Sequence, residues 1–367
     1  MLRSTRLDCI HQTQQDLISA VALPPDISVI LLAYGAEPHL QEVVSEVLGS
    51  VDPALEPLNL ELILVDNGAA PAVAQIPPDP RMQRLHPPRN LGFAGGCNLA
   101  AGHARGQWLV FLNSDAVVAA DAVAALVRPL LDGQVGLATG SVRLADRPNI
   151  MNTAGNPVHF TGVAWAGGLG EDSDRHILPR QVTSVSGAFF AISRANWLDL
   201  GGFDESYFAY HEDVDLSLRA WQHGLRIQYV PDAVALHHYE FSRNPAKQFL
   251  LERNRLTTVL TVFPRRLLLA VLPALVGMEA AVNIEALTNG WLGAKWRGYW
   301  WLVRHARYIV KRRVVVQRAN RLSPATFGSL LVDQISPTGV DLPAYANLAN
   351  DALQLYWRAA RRAFGIG

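Results

Sequence analysis

A chain of 367 residues, half of them hydrophobic and 17% charged, can bury a large core as one domain or two. Its two cysteines, Cys9 and Cys97, exclude a disulfide framework and stand in no metal-ligand spacing, so a reducing cytoplasm is the simplest compartment. The zero net charge conceals a split: residues 1–250 carry 16 basic and 26 acidic side chains, whereas residues 251–367 carry 16 and 6, a balance that suits the tail to an anionic partner.

Residues 1–25 read as an N-terminal extension without the apolar stretch of a signal peptide. Short β-branched runs at 27–34, 61–66 and 107–112 lack alternation, as strands buried on both faces of a parallel sheet do. Helix-like stretches at 37–50 and 95–106 lie between them. This order predicts an α/β domain over residues 26–244, a mostly parallel sheet flanked by helices. After LVFLNSDA (109–116) the run AVVAADAVAALV is helix-compatible. Residues 140–180 have no clear period and read as loops and short strands. A turn and strand follow at 184–194. The stretch from Glu212 to Gly224 is helical by the spacing of Val214, Leu218 and Trp221, with Gly224 at the stop. Residues 226–238 return as strand.

From residue 245 to 367 the chain reads as helical, basic and aromatic. Its most apolar stretch, 259–282, is interrupted by Pro264, Arg265, Arg266 and Pro273. The longest charge-free piece, 267–278, is too short to cross a bilayer, so the stretch reads as interfacial or buried. Residues 257–318, with their interleaved Trp, Tyr and Arg, allow helical packing on the preceding domain or contact with an anionic membrane surface. No nucleic-acid-binding motif accompanies them.

Ligands of such sheets gather where strands end, and two strands here end in polar clusters. Asp115 closes LVFLNSD and has two readings: a helix N-cap, or an acid that binds a divalent cation bridging phosphates, with Asn113 on the same side. Asp66-Asn67-Gly68 is either a β-turn or a receptor for the imino N–H of a pyrimidine base. RNLGFAGGCNLA (89–100) has neither the P-loop ending nor G-x-G-x-x-G spacing, which disfavours a P-loop ATPase and an ordinary dinucleotide dehydrogenase. Glu212 and Asp213 fall in the first turn of a helix, behind the aromatic approach GGFDESYFAYH, where a desolvated carboxylate can serve as general base. His237 and His238 end a strand, where a histidine is structural or, beside Asp115, a metal ligand.

In this order, SVILLAY, LILVDNGA, RNLGFAGGCNLA, LVFLNSDA, SGAFFAISR, GGFDESYFAYHEDVDLSLR and YVPDAVALHH resemble the family 2 inverting glycosyltransferases, particularly the rhamnosyltransferase-like group. The resemblance spans about residues 27–242. It implies the GT-A (Rossmann-like) fold, a nucleoside diphosphate sugar donor and a divalent metal, Mg2+ or Mn2+. By position, Asp66 would read the base, Asn90 and Asn98 would lie near the nucleotide-sugar, and Ala33, Tyr34, Asn67, Gly92, Asn113 and Ser114 would complete the donor pocket. Asp115 and His237 would hold the metal, with His238 as the alternative register. Asp213 would deprotonate the acceptor hydroxyl beside Glu212, and Gly187, Tyr210 and His211 would face the acceptor, a glycan or lipid-linked glycan of cell-surface polysaccharide synthesis.

Such an enzyme would sit in the cytoplasm, peripheral on the inner face of the cell membrane. Two departures stand out: Asn113 replaces the first acid of the metal motif, and Ala33-Tyr34-Gly35 replaces the family's Thr-Tyr-Asn. They leave room for an inactive nucleotide-sugar-binding scaffold of the same fold. A nucleotidyltransferase would need a basic triphosphate loop after the first strand, and 35–50 contains no Lys or Arg. Uracil and thymine offer the same imino donor, so UDP and dTDP donors are not separated.

Overall fold

The computed structural model describes residues 25–52, 58–239, 245–339 and 345–366; Cys9 and the rest of the N-terminal extension before residue 25 lie outside them. The chain opens with β1 (Ile27–Ala33), α1 (Leu40–Leu48), β2 (Leu60–Asp66), α2 (Ala70–Gln75), β3 (Met82–Leu85), α3 (Gly92–His103) and β4 (Trp108–Asn113). β1 is the axis of this half, with β2 and β4 parallel on either side of it and β3 parallel beyond β2. Val29, Leu31 and Leu64 pack toward one helical layer and Ile30, Ile63 and Phe111 toward the other, which is why these runs show no alternation.

The second half contains β5 (Ala116–Val118), α4 (Ala122–Val127), β6 (Leu137–Leu144), β7 (Arg147–Thr153), β8 (Arg180–Gln181), β9 (Phe189–Ser193), α5 (Arg194–Leu200), α6 (Glu212–Gln222) and β10 (Ile227–His237). Among the described residues the strands form one ten-stranded sheet, ordered β3-β2-β1-β4-β9-β6-β10-β5, with β7 on β6 and β8 on β10. β9 runs antiparallel between β4 and β6, and β6 pairs parallel with β10.

Two elements differ from the sequence reading. Residues 116–118 are strand rather than helix, because they pair antiparallel with Ala235–His237, and that long-range ladder overrides a local preference of Ala and Val that is weak either way. Residues 137–153 form two full strands. The one glycine of this stretch has a packing cause: a Cβ on Gly140 would lie 2.3 Å from Cδ1 of Phe189 on the neighbouring strand.

Six helices complete the described chain: α7 (Pro245–Val262), α8 (Arg265–Thr288), α9 (Leu292–Arg304), α10 (Ala306–Ala319), α11 (Pro324–Ser329) and α12 (Tyr345–Ala363). The expected break at Pro273 does not occur; α8 is continuous over 24 residues, with a mean hydropathy of 2.0 in its most apolar window, and is long and apolar enough to cross a bilayer. It is nevertheless held to its neighbours by charge. Glu279 of α8 and Glu252 of α7 share the buried cations Arg255 and Lys295. The helical layer packs on α6 through Val214, Leu218, Leu256, Val259 and Phe263. Arg312 of α10 reaches the same helix, donating to both oxygens of the fully buried Asp215 at 2.7 Å and also meeting Asp204. Burial works against the charge of Asp215, but Arg312 and Arg219 together hold its pKa at about 2.

Candidate functional site

Strand register sets the first wall of the site. Ala33 lies opposite Asp66 and Leu32 opposite Asn113, so the polar groups that follow three apolar strands meet at one sheet edge. Asp66 Oδ1 accepts from the N–H groups of Gly68 (3.2 Å) and Ala69 (2.8 Å), and Oδ2 lies 3.2 Å from His86 Nδ1. Partial burial raises its proton affinity, yet these donors hold the carboxyl below its ordinary range. The turn reading of this triplet is therefore present in the structure, and the second carboxylate oxygen faces the exposed His86.

The asparagines of this half mostly brace the backbone. Asn67 Nδ2 donates to Asn90 Oδ1 (2.9 Å) and its Oδ1 accepts from Leu91 N (2.8 Å), which fixes the loop ahead of α3. Both ends of the Asn98 amide bond the backbone of Phe203. Gly92 has φ +71°, and a Cβ there would lie 2.3 Å from Phe208 O, so the glycine serves a close approach of two loops. Tyr34 is exposed. Ser114 Oγ donates to Leu32 O and lies 2.7 Å from Glu37 Oε1.

Glu37 went unnoticed in the sequence. It also accepts from Tyr34 N (2.7 Å), and burial together with the nearby Asp115 charge raises its proton affinity above the ordinary glutamate value. Its signal was an acid three residues beyond the Ala33-Tyr34 strand end.

Asp115 is no helix cap, since α4 begins at Ala122 with Asp121 before it. Its Oδ1 lies 3.0 Å from His237 Nε2, across the short β5–β10 ladder. His237 Nδ1 lies 3.0 Å from Asn152 Oδ1; an amide oxygen only accepts, so Nδ1 carries a ring proton. Asn113 Nδ2 approaches the same Nε2 at 3.4 Å, as toward a lone pair. A carboxylate oxygen and an imidazole lone pair at this spacing suit a cation between them, and a second partner orients the ring, as metal-ligating histidines require. The residues present fit a divalent metal. His238 takes the other direction: its N–H donates to Asp115 O, and its ring stacks on His39, with Glu42 close by.

The opposite wall is the start of α6. Asp213 Oδ2 accepts from Gly187 N (3.0 Å) and from Asn156 Nδ2 (3.4 Å), and Oδ1 from Val214 N (2.8 Å). Burial raises its proton affinity despite these donors. Glu212 is buried, its Oε2 has no partner, and both burial and the Asp213 charge push its carboxyl well above the ordinary range. A cleft of about 430 Å³ joins the two walls, lined by Asn113, His237, Asn152, Asn156, Gly187 and Asp213, with Tyr210 and Glu212 also on its surface.

Tyr210 is half-exposed, whereas the ring nitrogens of His211 are engaged with Gly162 O and Thr258 Oγ1. Burial lowers the His211 pKa to about 4. The structure thus gives His211 a bracing part as well as a place on the cleft lining. Asn152 and Asn156 were missed because they sit in the aperiodic stretch read as loop.

A family model described as "Glycosyltransferase like family 2" matches residues 24–268. An N-acetylglucosaminyl-diphospho-decaprenol L-rhamnosyltransferase of Mycobacterium tuberculosis is 28% identical over 251 residues, covering 60% of this chain and 79% of that protein. The rhamnosyltransferase WbbL of Escherichia coli is 40% identical over 53 residues, 14% of this chain and 20% of WbbL. Among solved structures, GalNAc-T7 with UDP, GalNAc and Mn2+ aligns with a TM-score of 0.52 at 16% identity, over 66% of this chain and 49% of that one, a likeness of fold alone.

Proposed function

The chain belongs to glycosyltransferase family 2 and has a GT-A-like fold; on that premise we propose an inverting transferase that moves a hexose, rhamnose or a related sugar, from a UDP- or dTDP-sugar to a glycan or lipid-linked acceptor in cell-surface polysaccharide synthesis. The similarity to two rhamnosyltransferases, one named for a polyprenol-linked substrate, supports the choice of sugar and acceptor. One observation carries the reading: a single cleft has Asp213 on one wall and His237, whose Nε2 lies 3.0 Å from Asp115 Oδ1, on the other.

In this reading the acceptor oxygen bonds the anomeric carbon while the bond from that carbon to the diphosphate oxygen breaks. The hydroxyl proton goes to Asp213, no protein nucleophile takes part, and the configuration inverts. Gly187 N and Val214 N aim the carboxylate, and its partly desolvated seat raises its affinity for the proton. Asp66 offers its outer oxygen to the imino N–H of the base. Asp115 and His237 would hold Mg2+ or Mn2+, which when bound offsets charge on the leaving diphosphate.

The proposed location is the cytoplasmic face of the cell membrane. Leu269, Leu272, Val276, Ile284 and Leu287 of α8 are exposed, as are Trp296 and Trp300 of α9. Exposed Arg265, Arg266, Arg297 and Arg304 belong to the same two helices, which suits an anionic lipid surface.

Calorimetric titration of UDP and of dTDP, each with and without Mn2+, into wild type and Asp115→Ala tests the donor site. Metal-dependent binding that the substitution weakens by about 10- to 100-fold is expected. Binding indifferent to both metal and substitution would remove the metal site, and no binding of either nucleotide would favour a scaffold role.

A further inference from the structure

The segment that leads into α6 is strained. Phe208, Tyr210 and His211 have φ of 63°, 69° and 71°, positive values that non-glycine residues rarely adopt. Three such residues among four consecutive positions persist only where the surroundings over-determine them, and such strain gathers at functional sites. This segment supplies Ala209, Tyr210 and His211 to the cleft, and Asp213 follows two residues later.

Two adjacent side chains of α7 hold it. Asn254 Nδ2 lies within hydrogen-bond distance of three carbonyl oxygens of the turn, those of Tyr207 (3.0 Å), Ala209 (2.9 Å) and Tyr210 (2.6 Å). Arg253 determines which way that amide faces, since its Nε and Nη2 both donate to Asn254 Oδ1, at 2.8 and 2.7 Å. The same Nη2 reaches Ser206 O and Tyr207 O. Both side chains are buried, Asn254 almost completely. From the other side, Ala94 N donates to Phe208 O, the atom that requires a glycine at position 92. A third α7 residue, Thr258, meets His211 Nδ1.

We propose that Arg253 and Asn254 are positioning residues of the transfer reaction: they hold the positive-φ turn 208–211 so that Tyr210 and Asp213 stand on the acceptor wall of the cleft. The inference rests on the reading of Asp213 as the base. It makes α7 part of the active-site assembly, acting on turnover and not on the nucleotide, whose groups lie on the opposite wall. Neither residue touches the reacting atoms.

The test uses the full chain carrying Asn254→Asp, which keeps the side-chain shape and the acceptor for Arg253 but places an oxygen against three carbonyls, and Arg253→Lys, which keeps the charge and loses the fork. Hydrogen exchange of peptides covering 206–214 is read beside nucleotide release from whichever sugar donor the UDP and dTDP titrations select. Asn254→Asp should speed exchange in that segment alone and lower kcat about tenfold or more, with donor KM and Mn2+–nucleotide affinity within about twofold of wild type. Arg253→Lys should fall between. A folded Asn254→Asp with wild-type exchange and turnover overturns the proposal, as does a parallel loss of donor affinity. A fully active Asp213→Asn would overturn the base assignment instead, and the exchange measurement keeps the two failures apart.

Discussion

On the sheet side, Asp66 and Asn113 end the two parallel strands that flank β1, Asp115 follows Asn113 by two residues, and Asn113 reaches the cleft; on the helical side, Asp213 and Tyr210 stand on a strained turn and a helix start held by buried side chains of α7 and α10. The sheet side follows from local rules, because an apolar run that stops at a polar residue places that residue at the sheet edge wherever the strand is buried. The helical side depends on partners far along the chain. Arg312 lies 97 residues from Asp215, and Asn254 lies 44 from Tyr210. The first kind of wall tolerates change around it, and the second fails when one buried polar partner is lost.

The largest effect expected from breaking this contrast is on chemistry. Asp213→Asn should leave Mn2+-dependent nucleotide binding intact while lowering kcat by about 10²- to 10⁴-fold, the range for loss of a general base, as read by nucleotide release. A loss of binding instead would mean that the two walls are not separable.

Next is stability. Arg312→Ala leaves a buried carboxylate with one of its two cationic partners and should cost about 3–5 kcal/mol, measured by denaturant midpoints. The pH dependence follows in sign. The folded pKa of Asp215, about 2, lies below its ordinary 3.8, so its contribution is complete above pH 3.8 and disappears as pH falls through 2. Glu252, whose burial is outweighed by Arg255 and Lys295 and whose pKa is also about 2, adds to the same acid transition from its ordinary 4.5 downward. Wild type should therefore lose stability between about pH 4.5 and 2, and Arg312→Ala should show less of that pH dependence.

The smallest effect concerns the outer face. Arg297→Gln and Arg304→Gln should each weaken binding to anionic vesicles by about 1 kcal/mol, read by co-sedimentation at low salt, without changing stability. Equal binding to neutral vesicles would point to apolar contact alone.

The strands β1, β2 and β4 were legible to within a residue or so, because uninterrupted apolar runs have few alternatives. The collinear motifs made the family and the polar strand ends legible as well. Residues 116–118 were not, since Ala and Val allow either state and the deciding partner, β10, comes more than a hundred residues later. The same distance hid the uses of Asn98 and His211, which a sequence shows only as polar residues near glycines and aromatics. Glu37, Asn152, Asn156 and Asn254 were invisible for a related reason: each makes contacts that exist only after the sheet and helices have docked. The continuity of α8 through Pro273 shows that a single missing donor does not end a helix whose flanking turns remain helical.

The contact of Asp115 with His237 spans 122 positions of the chain and is supported by a ladder of only three residue pairs. A ligand gripped by both side chains therefore closes a very long loop, and it binds the native chain far better than the unfolded one. In the proposed reading, a metal with its nucleotide held there would act as a fastener for the sheet, and the loaded protein would be the one hardest to melt.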